Sequence, residues 1–189
     1  MQTMKPVHHL IVGGQRSGKS GHAERLAASW LAQAPGREVV VVATAQAWDD
    51  EMRARIARHQ ADRPAGWCTV EEPLHLARVL KHEAARNRLL LVDCLTLWLT
   101  NWLMPMQGQA DLSAWQAECE AVLNALRQSP STVVLVSNEV GWGVIPLSSE
   151  VRGFVDELGR LNQAVARCCG ELTLMVAGQP WTRPVEARR

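Results

Sequence analysis

The sequence predicts an α/β fold, a mostly parallel β-sheet with helices on both faces. Apolar runs of strand length alternate with segments of helical periodicity along the whole chain. In addition, the first run, His8 to Val12, leads through a glycine-rich loop into a helical segment, a strand–loop–helix unit typical of nucleotide-binding sheets. No linker or internal repeat interrupts the pattern, so we expect a single domain over residues 1–189.

The other strands are predicted from apolar runs bounded by turn residues, and they cover residues 38–44, 67–72, 89–93, 132–137 and 172–177. The helices are predicted from apolar residues three and four positions apart, at residues 21–31, about 50–61, 74–86, 95–104, 111–126 and 149–169. Asp111 or Ser113 is expected to cap the fifth helix, and Gly170 to end the last one. Residues 182–189 are expected to form a mobile tail.

Composition excludes several classes of protein. The net charge of +1 gives no general case for nucleic-acid binding. No apolar run approaches the ~20 residues of a membrane span, and the first residues lack the apolar stretch of a signal peptide, so a cytoplasmic protein is expected. The five cysteines form no C-x-x-C pair, which favours free thiols.

The loop after the first strand predicts a nucleoside-triphosphate site. Gly13, Gly18, Lys19 and Ser20 fit the spacing G-x-x-x-x-G-K-[ST]. The glycines allow the backbone to approach a phosphate, whose charge the loop N–H groups and the helix N-terminus would stabilise. Lys19 would place a positive charge on the β- and γ-phosphates, and the Ser20 hydroxyl is suited to bind Mg²⁺. The predicted phosphate-binding residues are Gly13, Gly14, Gln15, Arg16, Ser17, Gly18, Lys19 and Ser20.

A carboxylate follows the apolar run 89–92. Asp93 stands at the predicted carboxyl end of that strand, where nucleotide-binding proteins with such loops place an acidic residue near Mg²⁺. The sequence therefore predicts Ser20 and Asp93 as the metal-binding pair.

The loop alone leaves a switch GTPase, an ATPase motor and a small-molecule kinase open. A Ras-type switch would need an Asn-Lys-x-Asp element, and the nearest candidate, Asn138 to Gly141, lacks the lysine and the aspartate. A small kinase is therefore the default interpretation.

Several further motifs accompany the loop in order. They are Ala43-Thr44-Ala45, Asp49 to Met52, Arg55-Ile56 with His59, Asp62-Arg63-Pro64, Trp67, Asn138-Glu139-Val140-Gly141 with Gly143 and Pro146, and Gly159 to Gln163. Together with Gly13-Gly14-Gln15-Arg16-Ser17-Gly18-Lys19-Ser20, this set resembles the bifunctional adenosylcobinamide kinase / adenosylcobinamide-phosphate guanylyltransferase family over nearly the whole chain.

The resemblance implies a RecA-like P-loop fold, a homotrimer and two reactions in cobalamin biosynthesis. The first phosphorylates adenosylcobinamide with ATP or GTP. The second transfers GMP from GTP to adenosylcobinamide phosphate through a GMP-histidine, which corresponds to His59. Nucleotide contacts would come from the loop and from Ala43, Thr44, Ala45, Gln60, Ala61, Asp62, Arg63, Glu71 and Asp93.

The residues themselves are compatible with these roles. A neutral imidazole is a competent nucleophile at phosphorus, and it also leaves readily. The sequence departs from the family pattern where Gln60, Ala61 and Asp62 replace the usual Lys-Asp-Gly and where Asp93 replaces glutamate. Two alternatives stay open, a P-loop kinase without guanylyl transfer and a nucleotide-dependent switch or assembly module.

Overall fold

The computed structural model describes residues 6–61 and 63–186, apart from the side chains of Arg55 and His59. These residues build a seven-stranded sheet in the order β3-β2-β4-β5-β1-β6-β7. The strands are β1 (His9–Gly13), β2 (Glu38–Ala43), β3 (Cys68–Glu71), β4 (Arg88–Asp93), β5 (Thr132–Asn138), β6 (Glu171–Val176) and β7 (Gln179–Pro184). All neighbouring pairs are parallel except β6 and β7, which confirms the predicted mostly parallel sheet.

Six helices join these strands. They are α1 (Lys19–Ala32), α2 (Asp50–Ala61), α3 (Leu76–His82), α4 (Leu95–Leu103), α5 (Leu112–Gln128) and α6 (Ser149–Ala166). Asp111 caps α5 as predicted, because its carboxylate accepts a hydrogen bond of 2.9 Å from the Ala114 N–H. Of the helices in the described part of the chain, none is long and apolar enough to cross a membrane.

Both faces of the sheet are covered, as the continuous apolar strands predict. In β2, Val39 and Val41 belong to one core with Ala23 and Ala27 of α1. The side chains of Val40 and Val42, on the opposite face, belong to a second core that α3, α4, α5 and α6 cover. The alternation of the strand side chains between the two cores fixes the register of β2 within the sheet.

Parallel pairing brings the carboxyl ends of four strands to one edge of the sheet. Gly13 of β1 is opposite Asn138 of β5, Val136 of β5 is opposite Asp93 of β4, and Asp93 is opposite Ala43 of β2. This edge is where open α/β sheets bind ligands.

The prediction of a mobile tail from Thr182 was wrong for the described residues. Residues 179–184 form β7, which pairs with β6 across a turn at Ala177 and Gly178. Both turn residues have positive φ angles, 49° and 79°, as a tight hairpin turn requires. Ala-Gly is a weaker turn signal than Asn-Gly, which is why the hairpin was missed; residues 187–189 lie outside the described part.

Two helices are shorter than predicted. α3 starts late because the Glu72 side chain binds the N–H groups of Leu74 and His75. It ends early because the backbone of Ala85 is bonded to the Ser131 hydroxyl through both its N–H and its carbonyl. α6 ends at Ala166, four residues before Gly170.

Candidate functional site

The loop from Gly13 to Ser20 connects β1 directly to α1. A Cβ atom at Gly13 would lie 2.4 Å from the Met175 carbonyl oxygen and 2.8 Å from Ser17 Oγ, so only glycine fits there. Gly18, with φ 95° and ψ 13°, has the left-handed conformation that glycine adopts at low cost. These two positions give the loop the tight path that its sequence spacing predicts.

Lys19 is the first residue of α1 and lies inward, with 8% of its surface exposed. Its Nζ donates a hydrogen bond of 2.6 Å to the Gly14 carbonyl oxygen, across the loop. The N-cap residue of α1 is Gly18, which has no side chain that could cap the helix. The first N–H groups of the helix are therefore oriented toward the loop without a capping side chain, as in an anion-binding helix terminus.

Two backbone contacts hold the loop in place. The Glu139 N–H, just after β5, donates to the Gly13 carbonyl oxygen at 3.1 Å. The Gly178 N–H, in the β6–β7 turn, donates to the Ser17 carbonyl oxygen at 3.0 Å. The loop is thus positioned by segments that are distant in the sequence.

A cavity of about 400 Å³ lies beside the loop at the carboxyl edge of the sheet. Seven of the predicted site residues line it: Ser20, Ala43, Ala45, Gln60, Arg63, Glu71 and Asp93. Ser20 belongs to α1, Gln60 to α2 and Asp93 to β4. Ala43 and Ala45 lie at the end of β2, and Arg63 and Glu71 lie before and in β3. The structure therefore brings Ser20 of the loop, Ala43 and Ala45, three residues of the 60–71 segment, and Asp93 together around one space.

Polar contacts organise the far end of this cavity. Gln60 Nε2 donates to Glu71 Oε1 at 2.9 Å, which links α2 to the end of β3. Arg63 Nη1 donates to Thr69 Oγ1 at 2.8 Å. These side chains supply a carboxylate, an amide and a guanidinium to the end of the cavity formed by β3.

Other predicted residues lie elsewhere. Thr44 is buried, and its hydroxyl donates to the Cys94 carbonyl oxygen at 2.7 Å and accepts from the Cys94 N–H at 2.9 Å. It therefore fastens the end of β2 to the end of β4 and does not line the cavity. Ala61, at the end of α2, is exposed outside the cavity lining.

Two predicted residues fall on the parts that the structure leaves out. Asp62 lies outside the described residues. The backbone of His59 belongs to α2, directly before Gln60, whereas its side chain is outside the description. Neighbours of these two positions line the cavity, namely Ile56, Gln60 and Arg63.

The donor set suits Mg²⁺. The Ser20 hydroxyl and the Asp93 carboxylate line the same cavity and offer hard oxygen ligands. Within residues 6–61 and 63–186, no group of three or more His, Cys, Asp or Glu side chains is arranged to hold a metal ion. Mg²⁺ requires only one or two protein ligands when phosphate oxygens and waters complete its coordination shell.

Two titratable groups next to the loop are kept neutral. Burial raises the pKa of the Cys94 thiol to about 11, and the neighbouring Asp93 carboxylate adds to the rise. Burial lowers the pKa of His22, and the positive charge of Arg25 lowers it further. Neither the Cys94 thiolate nor a His22 imidazolium is therefore favoured at neutral pH.

Sequence reasoning missed the apolar part of the lining. Met52, Ile56, Leu97 and Met106 line the cavity along with Pro73 and Cys94. Met52 and Ile56 carry a signal in the sequence, because they lie four residues apart on one face of a predicted helix, but that pattern indicates packing and not a ligand. The other residues carry no signal that separates them from core positions.

The fold and the loop together define a class of protein. A glycine loop with a buried lysine joins β1 to α1, one strand (β5) lies between β1 and the carboxylate-bearing β4, and a cavity opens at their carboxyl ends. This is a RecA-like P-loop nucleotide-binding protein.

Comparison with known proteins identifies the family. A family model described as cobinamide kinase / cobinamide phosphate guanyltransferase matches residues 9–182. The bifunctional adenosylcobalamin biosynthesis protein CobP of Pseudomonas aeruginosa is 53% identical over 171 residues, which cover 90% of this chain and 94% of that protein. The proteins named CobU of Escherichia coli K12 and Salmonella typhimurium are each 39% identical over 178 residues, which cover 89% of this chain and 95% of each relative. The chain belongs to the cobinamide kinase / cobinamide phosphate guanyltransferase family, and the resemblance seen in its sequence is confirmed.

Proposed function

We propose that this chain carries out two reactions in the assembly of the cobalamin nucleotide loop. It phosphorylates the hydroxyl of the aminopropanol arm of adenosylcobinamide with a nucleoside triphosphate. It then transfers GMP from GTP to that phosphate, which gives adenosylcobinamide-GDP and pyrophosphate. Membership of the family supports both activities, and so do the names of the relatives, which call them bifunctional adenosylcobalamin biosynthesis proteins.

One observation carries the proposal at the level of the site. A single cavity of about 400 Å³ is lined by Ser20 of the phosphate loop, by Asp93 and by Glu71. A cavity of this size falls in the range of small-molecule sites. Because its lining extends from the phosphate loop to the end of β3, it suits a nucleotide with its phosphates at Ser20 and its nucleoside toward Glu71.

Phosphoryl transfer needs charge stabilisation more than covalent chemistry. In this proposal the loop N–H groups and Lys19 bind the phosphates, and the exposed Arg16 adds a positive charge at the loop. Ser20 and Asp93 would hold Mg²⁺, and the ion would supply positive charge to stabilise the triphosphate. ATP and GTP both offer the triphosphate that these residues bind.

Guanylyl transfer is assigned to His59. A neutral imidazole nitrogen forms a bond to the α-phosphorus of GTP, and the bond to the β-phosphate oxygen breaks to release pyrophosphate. An oxygen of adenosylcobinamide phosphate then forms a bond to the same phosphorus, and the imidazole leaves. The position of His59 in α2, one residue before the cavity-lining Gln60, supports this assignment.

The decisive test is covalent labelling. The purified protein is incubated with Mg²⁺ and GTP radiolabelled at its α-phosphate, and protein-bound label is measured after denaturation. We expect label that is stable to alkali and lost in acid, as a phosphorus–nitrogen bond requires. The His59→Ala variant is expected to lose this label.

The matched control is His82→Ala, because His82 is an exposed histidine on α3 away from the cavity lining. It should be labelled like the wild type. Undiminished label in His59→Ala would remove His59 from the mechanism. A protein that phosphorylates adenosylcobinamide but is never labelled would be a kinase without guanylyl transfer.

We also propose that the chain acts as a homotrimer in the cytoplasm, with residues 1–189 as one catalytic unit. The segment after β5 supports self-association, since Trp142, Ile145 and Leu147 are 72%, 77% and 98% exposed in the single chain. Apolar side chains exposed to this extent are typical of surfaces that bind a partner. Sedimentation equilibrium at several concentrations measures the assembly directly.

A further inference from the structure

The end of β5 carries a carboxylate that the roles above leave unused. Glu139 is the first residue after β5, and its N–H donates to the Gly13 carbonyl oxygen at the start of the phosphate loop. It also belongs to the Asn-Glu-Val-Gly sequence that follows the strand. The contacts of this carboxylate distinguish a structural role from a catalytic one.

Strand order places Glu139 nearest to the loop strand. Three carboxylates stand at the carboxyl ends of strands: Glu139 at β5, Asp93 at β4 and Glu71 at β3. Their strands lie one, two and four positions from β1 in the sheet, which corresponds to separations of roughly 5, roughly 10 and roughly 19 Å. Glu71 is too far to act at the γ-phosphate, and Asp93 is assigned to the metal.

The backbone that carries Glu139 is held firmly. The Asn138 N–H donates to Thr96 Oγ1 at 2.8 Å, and the Asn138 carbonyl oxygen accepts from Asn162 Nδ2 at 3.0 Å. With the bond from Glu139 to Gly13, three contacts from α4, α6 and the loop fix this strand end. A side chain placed there has a defined position relative to the phosphate loop.

In the described part of the chain, only one of the two oxygens of the Glu139 carboxylate accepts a hydrogen bond. The Gly141 N–H donates to Glu139 Oε1 at 3.1 Å, which turns the following segment back over the side chain. Within the described residues, Oε2 has no hydrogen-bond partner and Glu139 forms no salt bridge. Glu72 and Glu83, in contrast, each pair with an arginine.

We propose that Glu139 is the general base for the acceptor hydroxyl in phosphoryl transfer, an inference that rests on the kinase activity proposed above. The O–H bond of the alcohol breaks and its proton passes to Oε2 of Glu139. The alcohol oxygen forms a bond to the γ-phosphorus of the nucleoside triphosphate. The bond from that phosphorus to the β-phosphate oxygen breaks, and the nucleoside diphosphate leaves with the electron pair.

The test separates the two half-reactions. Glu139→Gln keeps an oxygen that can accept from the Gly141 N–H but cannot take a proton, so it isolates the chemical role from the structural one. Phosphorylation of adenosylcobinamide by ATP or GTP is measured in steady state, and formation of protein-bound GMP from α-labelled GTP is measured in parallel. Glu150→Gln, at an exposed carboxylate in the first turn of α6, is the matched control.

We expect kcat for phosphorylation to fall about 100-fold or more in Glu139→Gln. KM for the nucleotide and the amount of GMP label should stay within about 3-fold of the wild type, and Glu139→Asp should recover part of kcat. Phosphorylation by Glu139→Gln within about 3-fold of the wild type would overturn the inference, as would an equal fall of both half-reactions. If the wild type itself fails to phosphorylate adenosylcobinamide, the proposed kinase function fails and the inference fails with it.

Discussion

Gly13 and Gly14 are neighbours in the phosphate loop, but their surroundings differ. A Cβ at Gly13 would meet the Met175 carbonyl oxygen at 2.4 Å, whereas a Cβ at Gly14 would meet nothing within 4 Å. We expect Gly13→Ala to lower the free energy of unfolding by at least about 2 kcal/mol, since β1 and β6 would have to separate locally. Urea denaturation followed by circular dichroism measures the change.

Gly14→Ala is the control at the adjacent position, and its unfolding free energy should stay within about 1 kcal/mol of the wild type. Equal midpoints for the two variants would show that the loop can move away from β6 at little cost.

At the scale of residues, the phosphate loop could be predicted and the rest of the site only in part. Gly13, Lys19 and Ser20 are set by a local rule of spacing, because the phosphate contacts come from consecutive backbone groups. His59 carries no such rule, since one histidine on a short helix has many structural explanations; its role came from the resemblance alone. The nucleotide contact of Thr44 stays a prediction, and the structure adds that the Thr44 hydroxyl joins the ends of β2 and β4.

The start of α3 depends on one buried carboxylate. Glu72 Oε1 accepts from the N–H groups of Leu74 and His75 at 3.1 and 2.9 Å, and Oε2 accepts from Arg78 at 2.6 Å. Replacing Glu72 with alanine leaves these donors without their acceptor. We expect Glu72→Ala to lower the free energy of unfolding by about 1–3 kcal/mol at neutral pH, as measured by urea denaturation.

This contribution should depend on pH. Burial alone would raise the pKa of Glu72, but the hydrogen bonds from His75, Leu74 and Arg78 outweigh burial and hold the pKa below its ordinary value of 4.5. A lowered carboxyl pKa gives stability that is present at neutral pH and lost as the pH falls below 4.5. The difference between wild type and Glu72→Ala should therefore shrink in acid, and Glu120→Ala, at an exposed position of α5, should show no difference at either pH.

At the scale of elements, β1, β2, β4 and β5 could be predicted because each is an apolar run buried on both faces of the sheet. β7 was missed because, besides the weak Ala-Gly turn signal before it, all six of its residues are exposed and form no apolar run. The ends of α3 were misplaced for a different reason. The first and last residues of α3 are determined by contacts of Glu72 and Ser131, which link the helix to other parts of the chain. The spacing of apolar residues in the sequence gives no information on such contacts.

Acid should weaken the whole fold through His9. This residue is buried, its Nε2 is 2.6 Å from Thr173 Oγ1, and its Nδ1 is 3.2 Å from a Glu171 carboxylate oxygen. Burial lowers the pKa of His9 below its ordinary value of 6.5, Glu171 opposes the shift, and His22 adds to it. The unfolded chain therefore takes up a proton more readily than the folded chain, and stability falls as the pH drops below 6.5.

The measurement is the free energy of unfolding between about pH 7.5 and about pH 5.5. His9→Gln should give a shallower slope than the wild type, by at most about 1.4 kcal/mol per pH unit, which is the limit for one proton. His82→Gln, at a side chain that is 83% exposed, should leave the slope unchanged. A wild-type slope that His9→Gln does not alter would show that other groups govern the acid response.

At the scale of the molecule, the two-faced sheet could be predicted and the order of its strands could not. Continuous apolar strands such as Val39–Val42 require cover on both faces, and this requirement is visible in the sequence. The order β3-β2-β4-β5-β1-β6-β7 depends on which strands pair across long separations, and single-sequence periodicity contains no information on pairing. The grouping of seven predicted site residues around one cavity follows from that order.

The contact between the β6–β7 turn and the phosphate loop also has a consequence for folding of the chain during its translation. The Gly178 N–H donates to the Ser17 carbonyl oxygen, and β1 pairs with β6 as well as β5. Two partners of this early segment, β6 and the β6–β7 turn, are therefore translated only after residue 170. Until residue 171 and those after it have been made, β1 lacks its β6 neighbour and the loop lacks its contact with Gly178. We therefore expect nascent chains that end before residue 171 to show no affinity for immobilised triphosphate, and competence to appear only as translation finishes.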